Sequence, residues 1–560
     1  MKKFRKLFAL LLSFLLVTGM LAGCKSTSPK EPEKQSGETE SVPVTAQNLD
    51  PYGTLAEKTE LHIGRSEDAN VKYEEGESSE NNYITKYLEE KLNVDYIYDF
   101  SVSNQTYDTK VAMAITSGEL PDVMTVSESQ LRQLVKAGAV ADMTDAYNKF
   151  ASDNLKSAYD STNGISFGSV TFDGKILAMP NVSPGADGIP LLYIRGDWMD
   201  QLGLKEPKSM DDVVNIIHTF MEKNPGGKVN NGLVVAQKIV ATGGNTYGID
   251  ALFALYNSYP KFWITEDSGK LTYGSITPET KEALTNIRKL VTDGIIDPSF
   301  IVRDSDQCQE LVTSGQAGVF FGAWWNMASP LKDMSANDDS VYWNCYTAPL
   351  TEDGKYNTHM MSPTTSYLVV NKDASEAIKE AVIKTMNYQF DIDQDQGVSL
   401  KPRPEAGYSW TMMPLSVLLS RFDDKEAKAQ AVMDVVNGVK QESDLIGEEK
   451  LWYQDYKLVD TEGMSKAIAG NGGSGYSFTK GAYAISSNDT IINKVYGATY
   501  AHTDTMDKKW ATLEKMEDEK FLQILVGDAD VSEFDNFVSQ WKSLGGDEIT
   551  TELEGLLKQQ

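Results

Sequence analysis

The side chains best suited to specific contact with a ligand stand together in the stretch Thr313 to Asn326, Thr-Ser-Gly-Gln-Ala-Gly-Val-Phe-Phe-Gly-Ala-Trp-Trp-Asn. Its last three residues are two adjacent indoles, Trp324 and Trp325, and the amide of Asn326. An indole offers a flat apolar face and one N–H donor, and an amide both donates and accepts. The group therefore suits stacking and hydrogen bonding rather than bond making. The apolar run Val319-Phe320-Phe321 before it has the length and composition of a buried strand, which Gly322 breaks. In an open α/β sheet, ligands bind in the crevice beyond the carboxyl ends of strands, which is where both indoles fall. Neighbours on a strand or tight turn point in opposite directions, so one indole is expected to face the crevice and the other to pack beneath it. The competing reading makes both of them core.

Other chemistries find no pattern here. Glycoside hydrolysis needs two carboxylates about 5 to 10 Å apart, and no local signature singles out a pair. There is no Gly-x-Ser-x-Gly elbow, no His-Glu-x-x-His and no phosphate-cradling loop. Gly470-Asn471-Gly472-Gly473-Ser474-Gly475 lacks the lysine such a loop requires and reads as a flexible connection. His62, His218, His359 and His502 are far apart and lack metal-ligand spacing, so neither a metal nor a cofactor is expected. Cys308 and Cys345 could pair outside the cell, but a large core has little need of a staple, and free buried thiols are the expected state. With 52 basic against 81 acidic residues the net charge is −29, which disfavours a nucleic-acid partner.

The elements that must position these residues follow in order. Lys2, Lys3, Arg5 and Lys6 precede the apolar run Leu7 to Met20, too short for a comfortable membrane span, so residues 1–23 read as a signal peptide. Leu21-Ala22-Gly23-Cys24 resembles the lipobox of bacterial lipoproteins, which implies that Cys24 carries acyl chains and becomes the new N-terminus. Residues 24–58, rich in Ser, Thr, Pro, Glu and Lys, are expected to form a disordered tether. Thr59 to Ile63 reads as a strand, Asn82 to Leu92 as a helix, Asn93 to Ile97 as a strand, and Tyr107 to Ser117 as a helix closed by Gly118. Leu120 to Met124 then opens a strand and Gln130 to Ala137 a helix ended by Gly138. Alternating strands and helices imply mostly parallel sheets with crossover helices, and the length implies two such lobes.

Within this series Thr116-Ser117-Gly118-Glu119-Leu120-Pro121-Asp122-Val123 resembles a segment of the family 1 extracellular solute-binding proteins, the sugar-binding subunits of ABC importers. Tyr193-Ile194-Arg195-Gly196-Asp197-Trp198-Met199-Asp200-Gln201-Leu202-Gly203-Leu204 is similar to a segment of that family's LipO-like lipoprotein branch. So are Leu271 to Gly274 with Pro278-Glu279, Gly294 to Phe300, and the closing segments Glu533-Phe534-Asp535 and Trp541 to Glu548. The chain departs from many relatives at Asn224 to Gly232, which keeps the glycines of a calcium loop, lacks its carboxylates and adds Lys228, so no calcium site is carried over.

The resemblance implies a two-lobe, type II periplasmic-binding-protein-like α/β fold, each lobe a mostly parallel sheet flanked by helices and joined by a hinge. The lobes are expected to be discontinuous: roughly 59–185 plus a segment near 355–410, and roughly 190–350 plus the C-terminal helices. It further implies a lipid-anchored monomer on the extracytoplasmic face of the cell membrane that hands a carbohydrate, of oligosaccharide size, to permease subunits. A sugar cleft needs aromatic platforms beside polar groups. The aromatic candidates are Trp263, Trp324, Trp325, Tyr408, Trp410 and Tyr476, and the polar ones Arg65, Asp122, Asn326 and Arg403. Trp198 is read as lobe packing. A surface glycan hydrolase and a peptide receptor of the same architecture remain open; turnover would mark the first and a ligand panel the second.

Overall fold

The computed structural model of the protein describes residues 49–68, 71, 73–240, 246–266, 268–338, 340–394, 410–462 and 474–558. The signal peptide, Cys24, Arg403, Tyr408 and Gly470 to Gly473 lie outside these residues, as does the side chain of Trp410.

In chain order the strands are β1 (Thr59–Glu67), β2 (Val94–Ser103), β3 (Val123–Val126), β4 (Thr171–Phe172), β5 (Lys175–Ile176), β6 (Met179–Pro180) and β7 (Leu191–Arg195). They continue as β8 (Leu233–Val234), β9 (Trp263–Thr265), β10 (Leu271–Tyr273), β11 (Val319–Gly322), β12 (Trp343–Tyr346), β13 (Tyr356–Met360), β14 (Tyr367–Val370) and β15 (Ile492–Tyr496). Two sheets organise them, ordered β2-β1-β3-β14-β6 and β12-β7-β11-β8. In the first, β14 opposes both its neighbours, and in the second β7 does, so all but one strand of each sheet share a direction. These are two α/β sheets whose shared-direction strands need the crossover helices that the alternating pattern implied.

Local chemistry explains the elements. Asn82 accepts from the N–H groups of Ile84 and Thr85 and starts the helix Tyr83–Leu92, which Asn93 ends in the left-handed conformation. The next helix, expected from Tyr107, begins earlier at Asn104 and ends as read, with Gly118 at φ 73°. In β1 the register with β2 shifts between Ile63 and Gly64. A Cβ at Gly64 would sit 2.3 Å from the Phe100 ring, so only glycine allows that bulge. Leu191 to Ile194 in β7 are buried without alternation, as expected for a strand covered on both faces.

Residues 50–55, assigned to the tether by composition, are instead fastened to the helix Glu376–Asp393. Lys384 Nζ donates to the Gly53 carbonyl at 2.9 Å, Asn387 Nδ2 to the Pro51 carbonyl at 2.8 Å, and Tyr52 Oη to Asp391 at 2.6 Å. Averaged composition hides Tyr52 and the buried Leu55, which supply the apolar anchors there.

The buried side chains fall into separate cores. One gathers Leu55 to Val182 with Leu368 to Leu419, flanking the first sheet, and a smaller one covers that sheet's other face through Val126, Leu131 and Tyr367. Another gathers Ala186 to Met360 with Phe422 to Leu553 around the second sheet. The chain passes between the two sides at 183–185, 361–366 and 420–421, and these connections are bonded to one another. Ser420 N–H donates to the Val182 carbonyl at 3.1 Å, Ser183 N–H to Pro363 at 2.8 Å, and Gly185 N–H to Phe422 at 2.7 Å. The buried Asn181 accepts from the N–H groups of Thr365 and Ser366, each at 2.8 Å. Strapped side by side in this way, the three connections form a hinge.

Candidate binding site

β11 is the strand that leads to the two indoles, and it is flanked by β7 and β8. At its end the chain turns back on itself, with a Cβ at Gly322 falling 2.1 Å from Asn326 Oδ1, so a side chain there would block the turn. Residues Trp324–Met327 then form a single 3-10 turn. Tyr193 Oη donates to the Ala323 carbonyl at 2.7 Å. Asn326 Nδ2 donates to the Ser329 carbonyl at 2.8 Å and to Thr246 Oγ1 at 2.9 Å. From the far side Ser477 Oγ donates to the Trp325 carbonyl at 3.2 Å, and Gly481 approaches so closely that a Cβ would lie 2.0 Å from the Trp324 carbonyl oxygen. The turn is thus clamped by backbone contacts on both sides.

The indoles differ in environment. Trp324 is buried, packs on Phe478 with ring centroids 4.6 Å apart, and donates its Nε1–H to Asp187 Oδ1 at 2.9 Å. Trp325 is only partly buried and meets Trp324 edge to face at 5.7 Å. Burial pushes the Asp187 carboxyl above its ordinary value, opposed by the Trp324 hydrogen bond and the Lys425 ammonium. Phe478 in turn stacks on Trp452 at 3.4 Å, closing the aromatic layer below the turn.

The remaining residues singled out in the sequence are spread over both lobes. Arg65 is buried at the end of β1, and its guanidinium donates to the carbonyls of Ser79 at 2.8 Å and Thr411 at 2.5 Å. It moors two loops, and no carboxylate among the described residues pairs with it at ion-pair distance. Asp122 accepts the His62 N–H at 3.0 Å, tying the approach to β3 onto β1. Asn326 is buried within its own turn. Trp263 is buried in β9 among Tyr273 and Trp541, with ring centroids 5.1 and 6.1 Å away, so its loop-like sequence context concealed a core position. Tyr476 is likewise buried, and Trp198 packs edge-on against Phe220. Trp410 opens a short turn, Trp410–Met412, on the segment that Arg65 moors. Cys308 and Cys345 are free thiols, pushed up to about 12 by burial.

Sequence reasoning missed Asp187 and Glu128. Glu128, at the carboxyl end of β3, accepts the His502 N–H at 3.0 Å, and Ser129 Oγ donates to Asp507 Oδ2 at 3.3 Å, so the two lobes touch there. Burial raises Glu128, opposed by that N–H and by Arg132. Asp187 meets its partner 137 positions away, and Glu128, beside its local ion pair with Arg132, takes an N–H from 374 positions away. A cavity of ≈1010 Å³ lined by Tyr259, Thr272, Pro278, Asn493 and Glu554 lies away from these groups, and none of the residues singled out as ligand contacts borders it.

Residues 73–394 match the bacterial extracellular solute-binding protein family. Over nearly its whole length the chain is similar to the polygalacturonan/rhamnogalacturonan-binding protein YtcQ of Bacillus subtilis (strain 168), at 24% identity with 98% of each chain covered. It is similar also to lipoprotein LipO of the same organism, at 21% identity over 97% of this chain and 96% of that one. The crystal structure of an extracellular solute-binding protein from Bifidobacterium longum subsp. infantis superimposes with a TM-score of 0.60 at 15% identity, covering 90% of this chain and 99% of that one. The likeness to that structure extends to the fold alone.

Proposed function

The chain belongs to the bacterial extracellular solute-binding protein family, and from that membership we propose that it is a lipid-anchored receptor that captures a carbohydrate between its lobes and delivers it to the permease of an ABC importer. The observation that carries the reading is Trp325, a partly exposed indole held by a rigid turn at the carboxyl end of β11, where such sheets bind ligands. The full-length similarity to a protein described as polygalacturonan/rhamnogalacturonan-binding supports a polysaccharide fragment as the ligand. In this reading the lobes are about 50–182 with 367–419 and about 186–360 with 422–557, following the cores, and they close about the three connections.

Trp325 is the stacking platform. Trp324 and Asn326 shape the turn, while Arg65 and Asp122 brace the opposite lobe from beneath. No residue acts as a catalyst. Among the described residues no helix is long and apolar enough to cross a membrane, and attachment is assigned to acylated Cys24.

Calorimetry against oligogalacturonides, rhamnogalacturonan fragments, neutral oligosaccharides and peptides tests the proposal. At least one carbohydrate should bind with about micromolar affinity, roughly −8 kcal/mol, and remain unmodified on long incubation. Binding of peptides alone would overturn the carbohydrate assignment, and turnover of a labelled glycan would overturn the receptor role. For the anchor, Cys24→Ser should release the folded protein or leave an unprocessed precursor; normal processing with membrane retention would refute it.

A further inference from the structure

Asp187 occupies an unusual place. It lies one residue beyond the buried Ala186, in the 3-10 turn Gly185–Gly188 that completes the first passage between the lobes, and its Oδ1 receives the Trp324 Nε1–H at 2.9 Å. That turn is pinned to the third passage: Gly185 N–H donates to the Phe422 carbonyl at 2.7 Å, and a Cβ at Gly185 would sit 2.7 Å from the Phe422 ring. Two residues after Phe422 begins the helix Asp424–Val436, whose Lys425 and Asp424 both act on the Asp187 carboxylate. Lys425 Nζ pairs with Asp424 at 2.9 Å and lies 5.6 Å from the centre of the Phe478 ring, on which Trp324 packs. The groups facing Asp187 are thus the Trp324 indole, Lys425 and Asp424. Two of the three interlobe connections and the indole turn converge on one carboxylate.

We infer that Asp187 is the positioning residue of the site: it fixes the indole of Trp324, through it sets the angle of Trp325, and ties that angle to the hinge. The Phe478 ring meets Trp324 tilted at 50° rather than stacked on it, so this contact does not define the indole's orientation, and the hydrogen bond to Asp187 does. Trp325, packed edge to face at 88° on Trp324, inherits the orientation. The acceptor stands two residues beyond the connection at 183–185, in the turn that Gly185 pins to Phe422, so the indole angle is referred to the base of that connection, and a ligand stacked on Trp325 is held at that angle. The ligand half of this inference rests on the receptor reading above.

The test uses the full chain labelled with 5-fluorotryptophan, the Trp324 and Trp325 resonances being assigned through Trp324→Phe and Trp325→Phe. Asp187→Ala should displace the Trp325 resonance without ligand, and Asp187→Asn, which keeps an acceptor oxygen, should restore it. With the carbohydrate found by the panel, Asp187→Ala should raise the dissociation rate about tenfold while the association rate holds, and Asn should recover most of the loss. Trp324→Phe breaks the same bond from its other end and covers the case in which Asp187→Ala does not fold. Asp187→Asn added to Trp324→Phe should change nothing further, because the bond is already absent. An unmoved Trp325 resonance in Asp187→Ala or, failing that variant, in Trp324→Phe would overturn the inference. If no carbohydrate binds the unaltered protein, the receptor reading falls, and the ligand-free resonances still decide whether Asp187 positions Trp325.

Discussion

At Trp324 and Trp325 one peptide bond separates a buried indole from a partly buried one, and the difference lies in what each reaches. Trp324 finds Asp187 and Phe478; its truncation leaves a cavity in the aromatic layer and an unpaired carboxylate. Trp324→Ala should therefore lower folding stability by about 3 to 5 kcal/mol, measured by denaturant unfolding. Trp325→Ala should leave the unfolding midpoint nearly unchanged and weaken carbohydrate binding by about 2 kcal/mol, roughly thirtyfold, by calorimetry. Two destabilised variants that bind normally would remove this turn from the site. A second residue prediction concerns His359, buried in β13 against the Phe262 ring with centroids 3.9 Å apart. Burial holds its imidazole down at about 4, and Asp250 at 3.9 Å is too distant to reverse that. Its folded value lies below the unfolded one, so the stability it carries is present above about 6.5 and is lost as pH falls towards 4, about 3 kcal/mol across the window. His359→Leu should flatten that part of the stability profile; an unchanged slope between pH 6.5 and 4 would show that the imidazole is not the source.

Among the elements, the helix Asp504–Val526 shows how a buried charge is managed. Thr503 caps it, and it presents the fully buried Glu517 to Tyr273 Oη at 2.9 Å and Ser275 Oγ at 2.7 Å, the two hydroxyls donating. Desolvation raises this carboxyl to about 7, against the pull of Lys261 and the two hydroxyls. A raised folded value means that its stabilising effect is complete below about 4.5 and disappears as pH rises through 7. Glu517→Gln should match the native protein at pH 4.5 and exceed its stability at pH 8 by about 3 kcal/mol, read as a shift in the urea midpoint. A variant equal to or weaker than the native protein at pH 8 would show that the carboxylate is accommodated charged. The strand β11 and its turn make the complementary point. Gly322 admits the Asn326 carboxamide and Gly481 the Trp324 carbonyl at distances that no Cβ would allow, so the indole pair is presented by a closely packed turn.

For the molecule as a whole, the hydrogen-bonded connections tie the two sheets together. Asn181 bridges the first and second connections through a single carboxamide oxygen that accepts two N–H groups. Asn181→Ala removes the acceptor of both N–H groups, which at these partly buried positions should cost about 1 kcal/mol of stability and raise amide exchange across residues 364–366 before global unfolding. Exchange there that remains protected to the native level would mean that the connections are held by their backbone bonds alone. The straps also explain why one compact unit covers Gln47–Gln560 although its buried side chains fall into separate cores.

The sequence by itself determined the order of elements from Thr59 to Lys136, the position of β11 and the family. Each rests on information a few residues wide: the apolar spacing that makes a helix face, the Asn or Gly that stops it, the short apolar run of a covered strand. Where local signals were weaker, boundaries moved, as with the helix that begins at Asn104 instead of Tyr107 and the anchored residues 50–55. Tertiary structure alone decided what each site residue does. Which indole is buried depends on Asp187, 137 positions earlier, and on Phe478, beyond the third passage between the lobes. Arg65 looks like a free cation in the sequence and is spent on the Thr411 carbonyl, 346 positions away. Trp263 reads as a loop aromatic until Tyr273 and Trp541 close on it. Burial and hydrogen-bond partnership are properties of pairs distant in the chain, and no window of residue types carries them.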